Sequence, residues 1–290
     1  MNDGASPVGV VMRAHNDMPL VAETLRRLQT QDRAFRLVAF DNASTDGTLE
    51  EIRKYTDCVR HVPAGRYVPG RVLNQGMAAT TGEFVVFLNS DCTPQNDSML
   101  SALLAGFTGD KVAAVFGRQM PRPNCRALMA KDTDDTYGDG ARRRFWRHCF
   151  SMALSAIRRS VWETMPFQED LQYSEDIDWT WRARQRGYEI RYVPGAMVMH
   201  SHNYTLRQFY KRHYGEGRAE AHIFEWSPWE RSLLRYSLMP YLRQVLSDWK
   251  YCAVTLQVEE ALYSPVLRLA QLAGRRRGFS SAWREMKGRS

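Results

Sequence analysis

Short apolar runs that read as buried strands alternate with helix-spaced segments through the first half of the chain, and two of those runs end on acids. The runs are Val8–Met12, Leu37–Phe40, Phe84–Leu88 (FVVFL) and Val112–Phe116. Between them, Leu20–Leu28, a stretch from about Thr48 to Tyr55, Val72–Ala79 and Met99–Phe107 carry helical spacing, with Pro19 suited to a first turn. Such alternation specifies an α/β fold with a largely parallel sheet. In open sheets of this kind, ligands bind beyond the carboxyl ends of the strands. Asp41 follows the second run directly and Asn89-Ser90-Asp91 follows the third. Position as well as residue type therefore singles these residues out.

Further along, Pro121 to Arg147 is polar and poorly periodic, and a long loop is expected there, of the kind that often serves as a lid. Ser151–Ile157 returns as a strand. Ser174 is placed to cap a helix running through Trp179 to Arg186, closed by Gly187. Tyr188–Val193 and Met197–Met199 read as two more strands. After Thr205 the chain turns helical, aromatic and arginine-rich. The expected organisation is a catalytic domain at 1–204 and a helical, basic, aromatic-rich region at 205–290. The domain divides into a nucleotide-binding half at about 1–117 and an acceptor-side half at about 118–204.

Length and composition set the class. At 290 residues, 44% hydrophobic and 25% charged, the chain can bury a core as a soluble globular protein. Its beginning has no basic and apolar leader, and no stretch approaches the ~20 apolar residues that span a bilayer. The expectation is a cytoplasmic protein. Cys58, Cys92, Cys125, Cys149 and Cys252 are odd in number and lack C-x-x-C spacing, which argues against a disulfide framework or a structural zinc site. A net charge of +8 favours polyanionic partners: nucleic acid, acidic lipid or a diphosphate.

The acids offer specific chemistry. A strand-end carboxylate such as Asp91 can hold Mg2+ or Mn2+ through few protein ligands, because phosphate oxygens and water complete the octahedron. An ordinary turn would use the same residue types. Asp41, in FDNASTDGT, can pair with a base edge or a ribose hydroxyl, while Asp46-Gly47-Thr48 shapes the turn. Glu175 and Asp176, in YSEDIDW, suit a helix start by charge alone; the functional alternative is a carboxylate that deprotonates an attacking hydroxyl. Asp178 points elsewhere on that helix. His200 and His202 follow a strand and share one face of it, and one of them is a candidate metal ligand. His15, His61 and His148 have no such company in sequence. Pro69-Gly70-Arg71-Val72-Leu73-Asn74 joins a loop to a helix, and a helix N-terminus beside an arginine suits a phosphate. A proline-glycine turn needing no ligand is the plain alternative.

Taken in order, VVMRAHND, FDNASTDGT, YVPGRVLNQGMAATTGEFVVFLNSD and YSEDIDWTWRARQRGYEIRYVP resemble the family 2 glycosyltransferases of the GT-A fold. The match runs from about Val8 to Gly217. It implies a Rossmann-like nucleotide-diphospho-sugar transferase with a mixed, mostly parallel sheet and a helical C-terminal extension. It further implies an inverting transfer, with Asp41 on the nucleotide base, Asp91 and His200 on a divalent metal (Mn2+ or Mg2+), and Asp176 as base with Glu175 beside it. Ala14, Asn16, Arg71, Asn74, Asn89, Ser90 and Arg212 are expected on the donor. Asn89 departs from the pattern, because an acid usually opens D-x-D, and the departure removes one charge from the metal site. VMHSHNYTLRQFYKRHYGEG looks most like bacterial rhamnosyltransferases, which implies dTDP-rhamnose, or else a UDP-sugar, as donor. A glycan or lipid-linked acceptor in cell-envelope polysaccharide synthesis completes the expectation.

Three rivals stand beside it. A nucleotidyltransferase would want a glycine-rich basic loop where RAHNDMP stands. A catalytically silent nucleotide-sugar-binding module would have no need to keep Asp91, Asp176 and His200 together. A nucleic-acid or protein acceptor would use the basic surface, and nucleic-acid contact would show steep salt dependence. The C-terminal aromatics Trp226, Trp229, Tyr236, Tyr241, Trp249 and Tyr251, set among arginines, suit either a helical bundle on the catalytic domain or an anionic membrane surface on the inner face of the cell membrane. The oligomeric state is not legible.

Overall fold

The structure, a computed structural model, describes residues 7–143, 148–224 and 237–288. Trp226, Trp229, Tyr236 and the last four residues of the expected Pro121–Arg147 loop lie outside them. Eight strands form one sheet in the order β3-β2-β1-β4-β7-β6-β8-β5. They are β1 (Val8–Ala14), β2 (Phe35–Asp41), β3 (Val59–His61), β4 (Phe84–Asn89), β5 (Thr93–Pro94), β6 (Val112–Met120), β7 (Leu154–Arg158) and β8 (Glu189–Met199). β7 runs antiparallel to both β4 and β6, and β5 antiparallel to β8; the remaining neighbours are parallel. The expected mixed, mostly parallel sheet is thus present.

Period-two alternation puts a hydrophobic core on each face. Val10, Met12, Leu37, Ala39, Val86 and Leu88 face one side, where α1 (Leu20–Leu28), α2 (Thr48–Arg53) and α4 (Met99–Leu104) bury Leu25, Ile52 and Leu100 against them. Val11, Val38, Phe40, Val85 and Phe87 face the other. There α3 (Pro69–Ala79), α6 (Arg159–Thr164) and α7 (Glu175–Gln185) contribute Leu73, Val161 and Trp179. This second face carries the part of the site that follows α7.

Three local expectations change. The segment expected as one long loop contains α5 (Ala127–Tyr137). Its acids, Asp132, Asp134 and Asp135, interrupt the apolar period and hid it. Ser174 has φ 58, left-handed rather than the extended form of a side-chain cap, whereas Gly187 at φ 83 does end its helix as expected. The two strands expected after Gly187 are one strand, β8, whose pairing with β6 jumps from Gly117↔Val193 to Arg118↔Met197. Residues 194–196 are extra, and Gly117 leaves room for them: a Cβ there would lie 2.5 Å from the Ala196 carbonyl oxygen.

The chain divides into two compact units, the second comprising residues 123–132, 171–174 and 202–290. Within the second, α8 (Leu206–Phe224), α9 (Met239–Thr255) and α10 (Val258–Lys287) are the main helices. α8 and α10 approach backbone to backbone. A Cβ on Gly278 would stand 2.0 Å from the Tyr214 carbonyl oxygen, and one on Gly217 2.1 Å from that of Arg275. Gly278→Leu is accordingly expected to destabilise this unit by about 1–3 kcal/mol through overpacking. Hydrogen exchange along α8 and α10 checks it: unchanged protection would show that the close approach is not made.

Candidate active site

β1 and β4 are paired in register, so Arg13 stands directly opposite Asn89, with both side chains on the α7 face. The Arg13 guanidinium forks onto the Asn89 carboxamide oxygen, with Nε at 3.2 Å and Nη2 at 3.0 Å. Its remaining arm, Nη1, reaches Glu175 Oε1 at 3.3 Å and the Tyr67 hydroxyl at 3.4 Å. Both members of the Arg13–Glu175 pair are largely buried. One cation therefore ties the strand-end motif to the first turn of α7. Neither Arg13 nor Tyr67 was singled out from sequence. An arginine at the end of a buried apolar strand was the available signal.

Asp176 follows Glu175. Burial, and then the neighbouring Glu175 charge, push its carboxyl up to about 7. Its Oδ1 accepts the Ile177 backbone N–H at 2.8 Å, which fixes the carboxylate's direction. Asp178 instead pairs with Arg182 one turn on, at 2.8 Å. Two adjacent acids thus have separate surroundings: Glu175 is ion-paired, and Asp176 is buried and basic.

On the other side of the motif, Asp91 Oδ2 lies 3.4 Å from His200 Nε2. His200 Nδ1 meets Gln119 Oε1 at 2.6 Å. A carboxamide oxygen accepts only, so that contact places the proton on Nδ1 and leaves the Nε2 lone pair toward Asp91. Asp91, Cys92 and His200 each offer a ligand atom, all within 4.8 Å of one another. Burial pushes the Cys92 thiol well up, so it stays protonated. Arg122 donates to the Asp91 backbone oxygen at 2.6 Å, and Ser90 donates to Asp17, whose carboxyl burial also raises. Gln119, Cys92, Arg122 and Asp17 are additions to the sequence-derived set. His202, the other candidate of its pair, falls in the second unit and tilts against Tyr204.

The ends of β1 and β2 are knitted together. The Ala14 carbonyl accepts the Asn42 N–H at 2.9 Å, and Asn16, at φ 54, accepts the Thr45 N–H at 2.8 Å. Asp46 accepts the N–H groups of Met18 and Thr48, so the turn role expected of it holds. Asp41 is fully buried; its Oδ2 accepts the Ser44 N–H at 3.2 Å and stands 3.4 Å from His61 Nδ1. Its Oδ1 is buried with no hydrogen-bond partner among the described residues. His61, without company in sequence, gains Asp41 through the β2–β3 pairing.

Other expected donor residues have different partners. Asn74 donates to the Phe167 carbonyl and Glu169, and accepts from Trp162 Nε1 and the Phe167 N–H, which fills its amide. Arg71 pairs with Glu169 at 3.2 Å. A Cβ on Gly70 would meet the Gln168 carbonyl oxygen at 1.8 Å. The α3 N-terminus is therefore held against residues 167–169, with an acid beside it, and the phosphate expected there gives way to the plain alternative. Arg212, in α8 of the second unit, bonds Glu216 and the Tyr204 hydroxyl. Asn89, expected on the donor, gives its carboxamide oxygen to Arg13.

Arg13→Met is expected to cost roughly 3–5 kcal/mol, because Glu175 is left buried without its cation. Adding Glu175→Gln should return part of that loss. Urea unfolding of the two single variants and the double variant measures the coupling; purely additive losses would mean the pair does not interact.

Residues 9–165 match glycosyl transferase family 2. The chain is 32% identical over 197 residues to an O-antigen chain rhamnosyltransferase of Salmonella anatum, covering 63% of this chain and 61% of that one. A second O-antigen chain rhamnosyltransferase, of Salmonella typhimurium, is 26% identical over 212 residues, 67% of this chain and 64% of that one. A pre-mycofactocin glycosyltransferase of Mycobacterium tuberculosis is 29% identical over 216 residues, 69% of this chain. The chain spans 46–64% of the length of these relatives. Among solved structures, a mannosyltransferase of Pyrobaculum calidifontis in complex with GDP-Man and Mn2+ gives a TM-score of 0.65 at 18% identity, over 95% of this chain and 86% of that one. Glucosyl-3-phosphoglycerate synthase of M. tuberculosis, with Mn2+, UDP-glucose and phosphoglyceric acid, gives 0.52 at 21%, over 71% and 75%. The likeness establishes the GT-A fold. The chain belongs to glycosyl transferase family 2, is most like the O-antigen rhamnosyltransferases within it, and is a glycosyltransferase.

Proposed function

We propose that the chain moves rhamnose from dTDP-rhamnose, or a sugar from a UDP donor, to a hydroxyl of a glycan or lipid-linked acceptor, with inversion, in cell-envelope polysaccharide synthesis. The observation that carries this reading is the link from the Asn89–Asp91 motif through Arg13 to the buried acids of α7. Rhamnose is supported by the names of two relatives. Among the described residues, no helix is long and apolar enough to cross a membrane, so a lipid-linked acceptor would be met at the inner face of the cell membrane.

Asp176 takes the proton of the acceptor hydroxyl as that oxygen attacks the anomeric carbon. The bond from that carbon to the diphosphate oxygen breaks, and the nucleoside diphosphate leaves with the electron pair on the opposite side. Burial makes Asp176 a stronger base than an exposed carboxylate, and Glu175, held by Arg13, adds negative charge beside it. Asp41 takes a base N–H on its unsatisfied Oδ1. Asp91 and His200 hold the divalent ion, and the donor set fits: one carboxylate and an imidazole oriented by Gln119, with substrate oxygens left to complete the shell. Mn2+ or Mg2+ bound there supplies charge stabilisation for the departing diphosphate.

Three outcomes test the reading. Asp176→Asn should lower transfer by at least about 100-fold, while a thermal-shift screen still shows stabilisation by the donor with Mn2+. Because the base works deprotonated and its carboxyl is pushed up to about 7, transfer should rise with pH through that region and level off above it. A rate indifferent to pH below about 7 would remove Asp176 from the role. Gln119→Leu should weaken Mn2+ binding roughly 10–100-fold in calorimetry, since His200 loses its orienting partner.

A further inference from the structure

The helical hairpin of the second unit is inverted in its amphipathicity. Its inner side holds Asp248, Ser264 and Arg268, all buried: Arg268 donates to Asp248 at 2.7 Å, Ser264 donates to it at 2.6 Å, and Lys131 stands 3.2 Å away. That cluster locks the rotation of α9 and α10. Their outer sides then present apolar residues at helical spacing, among them Leu242 and Leu246 on α9 and Leu262 on α10. Exposure is greatest around the turn, where Val254 and Leu256 are each 85% exposed and Val258 70%. Exposed Arg243 and Lys250 sit seven residues apart on α9, at the margin of the apolar stripe, and Glu259 is the exposed acid near the turn. Contiguous apolar patches this prominent mark an interaction surface.

We infer that this hairpin docks on an anionic lipid bilayer, its Val254–Val258 turn entering the headgroup boundary while Arg243 and Lys250 meet lipid phosphates. Two features favour lipid over a second copy of the chain. The apolar exposure peaks at a tip, which a planar apolar medium accommodates and the flank of a facing copy does not. The margin is also net basic, complementary to anionic headgroups. The hairpin lies on the bilayer and does not span it, as neither helix meets the length and apolarity of a membrane span. The inference deepens the lipid-linked acceptor reading and rests on it for its purpose, while its geometry is independent of the catalytic assignments.

The test is co-sedimentation of the full chain with phosphatidylcholine vesicles, with and without phosphatidylglycerol. Wild type should pellet with the anionic vesicles. Leu256→Asp with Val258→Asp, both at exposed positions, should lower partition at least roughly tenfold. Arg243→Glu with Lys250→Glu should do so for anionic vesicles only, by a similar factor. Circular dichroism and donor-dependent thermal stabilisation should match wild type in both variants. Wild type remaining in the supernatant, or the aspartate pair pelleting as wild type does, overturns the inference. So does a solution dimer that the aspartate pair dissociates while vesicle binding persists. Loss of donor stabilisation in wild type with vesicle binding intact would instead overturn the catalytic reading alone.

Discussion

A single guanidinium at the end of an interior strand holds the two halves of this site in one geometry. Arg13 can do so because β1 and β4 are in register, which puts Asn89 opposite it, and because α7 packs on the same face and delivers Glu175. The substitution of asparagine for an acid in the motif then acquires a physical meaning. A carboxylate at position 89 would compete with Glu175 for the one cation. The neutral carboxamide accepts two hydrogen bonds and leaves the positive charge to Glu175, which in turn sits beside Asp176. Charge removed at the strand end is thus connected to the proton affinity of the acid on α7.

Much of this architecture was legible in the residues. Buried strands such as Phe84–Asn89 announce themselves by unbroken apolar runs, and the placement of Asp41 and Asp91 follows from where those runs stop. Short or interrupted elements were not legible. β3 and β5 are three and two residues long, too short for a period. β8 passes through Pro194 and Gly195, which read as a break because only pairing with β6 shows the strand resuming. The direction of β7 is likewise a property of its neighbours.

Site residues divide in the same way. Residue type and strand-end position pointed to Asp91, Asp176 and His200. Partnership had no sequence signal, so Gln119 behind His200 and Arg13 between the motifs emerged only in three dimensions. The same lack explains Asn74 and Arg71. A polar residue near a helix start suits a ligand or a neighbouring loop equally, and Phe167–Glu169 claims both.

The three additional residues in β8 tie the site to counting. Side chains alternate along a strand, so an odd number of extra residues reverses which face every later residue presents relative to β6. His200 lies just beyond that reversal, with its backbone N–H on the Met120 carbonyl. Length variation within 194–196 is therefore filtered by parity. Loss of two residues conserves the facing of His200, whereas loss of one turns the imidazole away from Asp91. Related chains that keep the histidine should differ in this stretch by even numbers, a spacing rule that no comparison of residue identities alone would reveal.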